Sequence, residues 1–346
     1  MNEFHTLTVS DIKRETPNAI SIEFSIPEHL KKNFDFKAGQ YITIKHFEKG
    51  TEIRRAYSIC SSPKSKSLRV GVKKVEKGIF SPYAHDRLKV GDALEVMTPT
   101  GKFVLEPNVT NYVAFAAGSG ITPILSLIKS ALEETPNTRF LLIYGNKTRE
   151  ETMFYDDIRE LAEQYPERFK AEFIFSRKEE PHARFGRIDR SIVNYFLNNK
   201  YKEISHESYY LCGPKEMIDV VSEALKDKGI SEENIHFELF TIEDSGELVE
   251  NHDGNTEITI ILDDEEETFS MPQKKSVLDA ALDEGLDAPY SCQGGICSTC
   301  IARIKEGKAE MRNNQILTDS EIEEGLILTC QAHPTTPKIV VDYDDI

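Results

Sequence analysis

Cys292, Cys297, Cys300 and Cys330 constrain this chain more than any other residues in it. Three of them form the run C-x4-C-x2-C, and the fourth follows after 29 further residues. That spacing lets three thiolates share one loop while a fourth arrives from a later strand, as in plant-type [2Fe–2S] centres. Gly294 and Gly295 allow the loop to wrap closely and to turn N–H groups toward sulfur. Ser298 and Thr299 are small and can hydrogen-bond. A structural zinc site is the alternative, but zinc usually takes paired C-x2-C knuckles and only one such pair occurs here. The other two cysteines, Cys60 and Cys212, lie far away, so this is not the scatter of a secreted disulfide scaffold. The first residues, Met1-Asn2-Glu3-Phe4-His5-Thr6, show no charged region followed by an apolar one. A cytoplasmic protein with a metal site is therefore expected.

Charge is distributed unevenly. Of 59 acidic and 42 basic residues, 19 and 7 lie from Thr256 onward, and residues 241–255 hold five acids and no base. Everything before is balanced. A basic nucleic-acid footprint is absent, so no nucleic-acid partner is expected. The acidic C-terminal quarter suits docking to a basic protein surface, because complementary fields steer encounter; the plainer reading is that acid-rich surfaces keep proteins soluble. No run of ~18 apolar residues exists, so no membrane insertion is expected.

A length of 346 residues points to two or three domains. Residues 19–26 alternate as Ile20, Ile22, Phe24 and Ile26, and 41–45 and 67–73 follow as short strands, which suggests an antiparallel barrel or sandwich. After Pro107 the pattern changes. Residues 111–117, 139–144, 171–176 and 208–212 read as buried strands, and 123–134, 154–165 and 215–228 as helices. This alternation predicts a doubly wound parallel sheet. Residues 241–255 have no period and read as a linker. From residue 256 a small β-rich module follows, with a strand at 257–262 and a helix at 277–284. The expected division is 1–107, 108–240, the acidic linker 241–255, and 256–346.

Several short motifs fit cofactor chemistry. Gly118-Ser119-Gly120-Ile121-Thr122-Pro123 follows a buried strand and opens a helix. Its glycines allow close backbone approach, and the helix start offers unpaired N–H groups to a pyrophosphate. Pro123 suits a first turn, where no N–H is needed. An ordinary tight turn is the plainer reading. Cys212-Gly213-Pro214 ends a strand where ligands of open parallel sheets bind, although a buried core cysteine is the simpler account. In Arg54-Arg55-Ala56-Tyr57-Ser58, Arg55 can bind a phosphate, Tyr57 can stack on a flat ring and Ser58 can hydrogen-bond to a ring edge. Arg55 and Tyr57 would share one face of a strand. Gly78-Ile79-Phe80-Ser81, ahead of a helix at 83–88, offers a second pyrophosphate cradle.

Taken in order, R-x-Y-S, G-x-x-S, G-x-G-x-x-P and C-G-P resemble the ferredoxin–NADP(+) reductase superfamily. With the cysteine module at the C-terminal end, the whole chain is similar to the reductase components of multicomponent oxygenases. The similarity extends through Ala309-Glu310-Met311-Arg312-Asn313-Asn314 and Leu328-Thr329-Cys330-Gln331. It implies an antiparallel β-barrel flavin domain, an α/β parallel-sheet nucleotide domain and a small α+β ferredoxin domain of β-grasp type. It implies that Arg55, Tyr57 and Ser58 hold the flavin, and that Gly78 and Ser81 hold the FAD pyrophosphate. Gly118, Gly120, Thr122 and Pro123 would line the nucleotide site, with Cys212, Gly213 and Pro214 beside the nicotinamide. Ser58 and Cys212 are the catalytic candidates. Ser176, Arg177 and Arg187 stand where relatives bind a 2′-phosphate, which favours NADPH over NADH. Phe240 would lie near the flavin, or alternatively in the core. FMN, common in phthalate-type reductases, is the alternative flavin.

The implied partner is an oxygenase of the phenylacetyl-CoA epoxidase di-iron type, with an acyl-lipid desaturase or a Rieske oxygenase as other acceptors. None of the stretches read as helices carries the Glu-x-x-His motif of a di-iron bundle, so oxygen chemistry is expected on that partner. A zinc-stabilised binding or redox-sensing protein without turnover is the competing class.

Overall fold

The computed structural model describes residues 4–240 and 254–346. Met1–Glu3 and all but the last two residues of the expected linker lie outside the described residues. The chain forms two compact units, one spanning Phe4–Phe240 and the other holding the C-terminal module.

The first unit begins with six antiparallel strands: β1 (Phe4–Thr16), β2 (Ala19–Ser25), β3 (Tyr41–Glu48), β4 (Thr51–Ser58), β5 (Leu68–Lys73) and β6 (Ala93–Met97). Their spatial order is β4-β3-β6-β1-β2-β5. The alternation in β2 turns Ile20, Ile22 and Phe24 inward, opposite Val72, Val70 and Leu68 of β5. The two edge strands meet: Ile59, just past β4, bridges to Val70, and Cys60 N–H donates to Arg69 O at 2.8 Å. That bridge closes the sheet into the expected barrel. Helix α1 (Phe80–Asp86) starts three residues earlier than the sequence suggests, because Phe80 and Ala84 insert into the barrel core.

The nucleotide domain follows as β7 (Asn111–Ala117), α2 (Ile121–Glu134), β8 (Arg139–Asn146), α3 (Tyr155–Gln164), β9 (Phe169–Phe175), β10 (Arg184–Phe185), α4 (Arg190–Tyr195), β11 (Ser208–Cys212), α5 (Lys215–Lys226) and β12 (Ile235–Glu238). All strands pair in parallel, in the order β10-β9-β8-β7-β11-β12. Strand order reverses between β7 and β11, the place where such sheets open a crevice at their C-terminal ends. Helix α2 is buried on nearly every side because it is wedged between the sheet and the barrel. Ser126 Oγ donates to Ser61 O at 2.6 Å, and a Cβ on Gly71 of β5 would stand only 2.6 Å from Thr122 Cγ2. The start of α2 is thus locked against the barrel wall.

The second unit contains β13 (Asn255–Leu262), β14 (Glu265–Pro272), α6 (Val277–Asp283), β15 (Ile301–Glu306), β16 (Ala309–Met311), α7 (Asp319–Glu323), β17 (Leu326–Leu328), β18 (Ala332–Pro334) and β19 (Lys338–Asp342). Five strands form a mixed sheet in the order β14-β13-β19-β15-β17, with β13 and β19 parallel. Ser276 caps α6 by accepting from Asp279 N–H, and Val277, Leu278, Ala280 and Ala281 are buried in the unit's core with the inner residues of the sheet. A mixed sheet grasping one helix is the arrangement expected of a ferredoxin-type domain.

Candidate functional site

The crevice at the switch point gathers residues from three strand ends. In β4 the alternation places Arg55 and Tyr57 on one face. The Arg55 guanidinium is exposed and donates to Arg54 O at 2.7 Å. The Tyr57 ring lies 5.6 Å from Phe80, centroid to centroid. Ser58, the last residue of β4, is buried and donates to the Glu238 carboxylate at 3.0 Å. Glu238 ends β12 and is the register partner of Cys212, which ends β11 and pairs on its other side with Ala116 of β7. Burial, and then the Glu238 charge, push the Cys212 thiol well above its usual range. Cys212 is therefore a neutral, polarisable surface and not a nucleophilic thiolate.

The glycine run sits directly opposite. Gly118 takes φ 57°, which side chains rarely adopt. A Cβ on Gly120 would fall 2.1 Å from Cys212 O and 2.8 Å from Gly213 N, so this approach admits only glycine. Tyr144 Oη donates to Gly118 O at 2.8 Å and Thr122 Oγ1 to Ser119 O at 3.0 Å, fixing the turn. Pro123 lies in the first turn of α2, and Pro214 precedes α5 as its N-terminal cap residue.

Lys73, at the end of β5, brings its ammonium to 3.4 Å from the point a Gly118 Cβ would occupy. Burial, and then Lys147, lower its pKa. A partly buried cation beside a helix start favours an anion there.

The second cradle is more self-contained. Gly78 N–H donates to Val75 O at 2.9 Å, and Ser81 Oγ, in the first turn of α1, accepts from Val75 N–H at 3.1 Å. Ser176 and Arg177 continue past β9, their N–H groups bonded to Asn146 O and Lys147 O. Gly186 N–H donates to Phe175 O at 2.9 Å, and Arg187 follows just past β10, the strand that pairs with the end of β9. Arg177 and Arg187 are both exposed, and neither guanidinium is paired among the described residues, whereas neighbouring Lys178 is tied to Glu150 and Glu180. Phe240 is 38% exposed, so the core alternative for it is set aside.

In the second unit the thiols stand as two pairs. Cys292 and Cys297 share a hydrogen bond that holds Cys297 down at about 6, and Cys300 and Cys330 share one that lowers Cys330. Gly294 N–H donates to Cys292 Sγ at 3.3 Å, and a backbone hydrogen bond from Gly295 also lowers Cys330. The loop is clamped from outside. Asn313 Nδ2 donates to Gly294 O at 2.7 Å, Gln315 N–H to Gly295 O at 3.1 Å and Gln331 Nε2 to Gln293 O at 2.9 Å. Gly295 takes φ 74°, and a Cβ there would meet Asn313 O at 2.4 Å.

Known sequence families match in the same order. Residues 6–105 match the Oxidoreductase FAD-binding domain, 115–223 the Oxidoreductase NAD-binding domain and 260–335 the 2Fe-2S iron-sulfur cluster binding domain. The chain is 36% identical to a component of the 1,2-phenylacetyl-CoA epoxidase of Escherichia coli (strain K12), covering 99% of both chains. The chain belongs to the ferredoxin–NADP(+) reductase superfamily. It is also 32% identical to the ferredoxin reductase component of a 3-ketosteroid-9-alpha-monooxygenase from Rhodococcus rhodochrous, over 97% of this chain and 96% of that one. Among solved structures, phthalate dioxygenase reductase shares the fold with a TM-score of 0.61 at 23% identity, over 98% of each chain.

As a member of that superfamily, the chain is a reductase component of oxygenase type that carries FAD-binding, NAD-binding and 2Fe–2S domains. Its residues fit the groups those domains take. The four thiols act on one another electrostatically as one cluster, and the stretch that carries them matches the 2Fe-2S iron-sulfur cluster binding domain, so the donor set is the one two irons take. This disfavours the zinc alternative. The crevice fits a dinucleotide, because the backbones of Gly120 and Cys212 touch and the Lys73 ammonium reaches Gly118. Among the described residues no helix is long and apolar enough to cross a membrane. Sequence motifs single out Ser58 and Cys212 but give no role to Glu238, which joins them, or to Lys73. Neither belongs to a motif, and only the register of β12 and the path of β5 reveal them.

Proposed function

We propose that this chain takes electrons from NADPH at the switch-point crevice and passes them through FAD and the Cys292, Cys297, Cys300 and Cys330 centre to a di-iron oxygenase of the phenylacetyl-CoA epoxidase type. The observation that carries the reading is the meeting of Ser58, Glu238 and Cys212, which joins the flavin strand to the nucleotide strands. Bound FAD would supply the step from a two-electron donor to one-electron acceptors. The chain's own residues do the rest. Arg55, Gly78 and Ser81 hold the flavin phosphates, Tyr57 lies against the ring, and Ser58 hydrogen-bonds its edge under control of Glu238. Gly118, Gly120, Thr122 and Pro123 seat the nucleotide pyrophosphate with Lys73. Cys212, Gly213 and Pro214 form the floor under the nicotinamide. Phe240, exposed at the end of the unit, stands ready to cover the flavin. The domain division at 107, 240 and 255, and residence in the cytoplasm, belong to the same reading.

The acceptor is supported by the full-length likeness to the epoxidase component. The ketosteroid monooxygenase reductases, at 32% identity, support a second reading with another oxygenase as acceptor. Reconstitution separates them: NADPH oxidation should become dependent on phenylacetyl-CoA when the epoxidase oxygenase component is added. NADPH oxidation that no phenylacetyl-CoA stimulates would refute the first reading.

In this reading the nucleotide preference rests on Arg177 and Arg187, exposed and unpaired among the described residues, as the groups that would meet a 2′-phosphate. Arg177→Ala should raise KM for NADPH by about tenfold or more, since a charge-assisted hydrogen bond contributes about 1.5–3 kcal/mol. KM for NADH should stay within about twofold, because no 2′-phosphate is there to lose the contact. Equal effects on both nucleotides would sink the NADPH assignment.

A further inference from the structure

Two side-chain amides grip the cysteine loop, and each grips the back of a peptide group whose front faces sulfur. Gln331 Nε2 donates to Gln293 O at 2.9 Å, and Asn313 Nδ2 donates to Gly294 O at 2.7 Å. In a planar trans peptide the carbonyl and the N–H that follows it point in opposite directions. Holding Gln293 O outward therefore turns Gly294 N–H inward, where it reaches Cys292 Sγ at 3.3 Å. Holding Gly294 O outward turns Gly295 N–H inward in the same way. Cys330, lowered first by its hydrogen bond with Cys300, also receives a backbone hydrogen bond from Gly295.

The loop needs such holds. Gln293 takes φ 54°, a left-handed conformation uncommon for any residue but glycine. It persists only where the surroundings over-determine it. The two clamps are themselves anchored. Gln315 Nε2 donates to Asn313 Oδ1 at 3.1 Å, which fixes the oxygen end of that amide and leaves its nitrogen for Gly294 O. Gln331 follows Cys330 directly, its N–H donates to Leu328 O at 2.8 Å, and its Nε2 also reaches Cys330 O at 3.1 Å. It thus ties the segment of the fourth cysteine to the loop that carries the other three.

We propose that Asn313 and Gln331 are positioning residues of the [2Fe–2S] centre: by holding the outer carbonyls of Gly294 and Gln293 they keep two N–H dipoles on ligand sulfur and so raise the centre's reduction potential. The inference rests on the assignment of the four cysteines as ligands. A bound thiolate carries no proton and can only accept. An N–H aimed at it offsets the negative charge that reduction adds, so it favours the reduced state. A peptide released from its clamp is free to rotate that dipole away.

The test uses the full chain with its flavin and centre in place. Iron, labile sulfide and FAD are measured first in native protein, Asn313→Leu and Gln331→Met. Absent iron in the native sample marks failure of the ligand assignment and not of the clamps. A redox titration followed by electron paramagnetic resonance should then show the cluster couple of each variant displaced to lower potential, and further in the double variant, with the flavin couple unmoved. Pulsed resonance on reduced samples exchanged into D2O should show deuterons coupled to the native cluster and weaker coupling in the variants. Both substitutions keep the side chain's size and remove its donor, so a role in packing alone would leave couple and coupling in place. An unmoved couple in either variant overturns the proposal, and so does coupling that keeps its native strength in both. If either variant assembles no centre, Gln315→Met decides, because it loosens the Asn313 amide without deleting it: a cluster couple at the native potential there overturns the proposal.

Discussion

Cys297→Ser is expected to abolish the iron–sulfur signals of the purified protein and, with them, delivery of electrons to a protein acceptor, by more than about a hundredfold. Loss of an outer partner of a metal ligand already costs about 10–100-fold, and here a ligand itself is removed. Serine keeps the size of the side chain but replaces a soft thiolate with a hard hydroxyl that iron–sulfur chemistry does not favour. The neighbours leave no substitute. Cys292 would lose the partner with which it shares a hydrogen bond, and the nearby Thr299 hydroxyl, 3.6 Å from Cys297 Sγ, is no thiol. NAD(P)H-dependent reduction of ferricyanide, by contrast, should be essentially unchanged. The barrel and the nucleotide sheet form one compact unit with their own apolar cores, and none of the four cysteines lies in it. Parallel loss of ferricyanide activity and flavin would show that the two units are not independent and would overturn the two-step account of electron flow.

The legible part of this protein is the part encoded in local pattern. Period-two alternation marks β2 and β5, continuous apolar runs mark β7, β8 and β11, and each appears within a residue or two of the expected place. The cysteine spacing alone identifies the thiols that pair in the second unit. Where pattern is interrupted, legibility ends for identifiable reasons. β1 is thirteen residues long, but a register shift between Val9 and Asp11 breaks its alternation, and nothing local announces it. β15, β17 and β19 are short and gain their identity only by pairing with one another. The start of α1 is set by Phe80 finding the barrel core, a tertiary fact. The same holds at the site. Arg55, Tyr57 and Ser58 are near neighbours in the chain and stand out, whereas Glu238 lies 180 residues from Ser58 and meets it only because β12 runs parallel beside β11. Long-range register, not residue type, makes that carboxylate part of the crevice.

Gly120→Ala should slow flavin reduction by NAD(P)H about a hundredfold or more while leaving FAD and the iron–sulfur centre in place. The added methyl group would lie 2.1 Å from Cys212 O and 2.4 Å from Cys212 C. Those neighbours are backbone atoms at the end of β11, whose partners are β7 on one side and β12 on the other, so they cannot swing aside as a flexible side chain would. Relief must come from moving the Gly118–Gly120 turn, and Tyr144 Oη and the Gly71–Thr122 contact resist that from behind. Overpacking of this kind costs about 1–3 kcal/mol of stability, a loss the remaining cores of a unit this size can absorb. The larger effect is kinetic. A reactant displaced by about 1 Å from its productive position loses about a hundredfold in rate, and the turn that moves is the one that seats the nucleotide next to Cys212. Stopped-flow reduction should therefore be slow at saturating NAD(P)H. Flavin reduced photochemically in the same variant should still pass electrons to the centre at the native rate, because neither the flavin-strand residues of β4 nor the cysteine loop has been altered. Native rates of reduction by NAD(P)H in Gly120→Ala would mean that the nucleotide does not bind in this crevice at all.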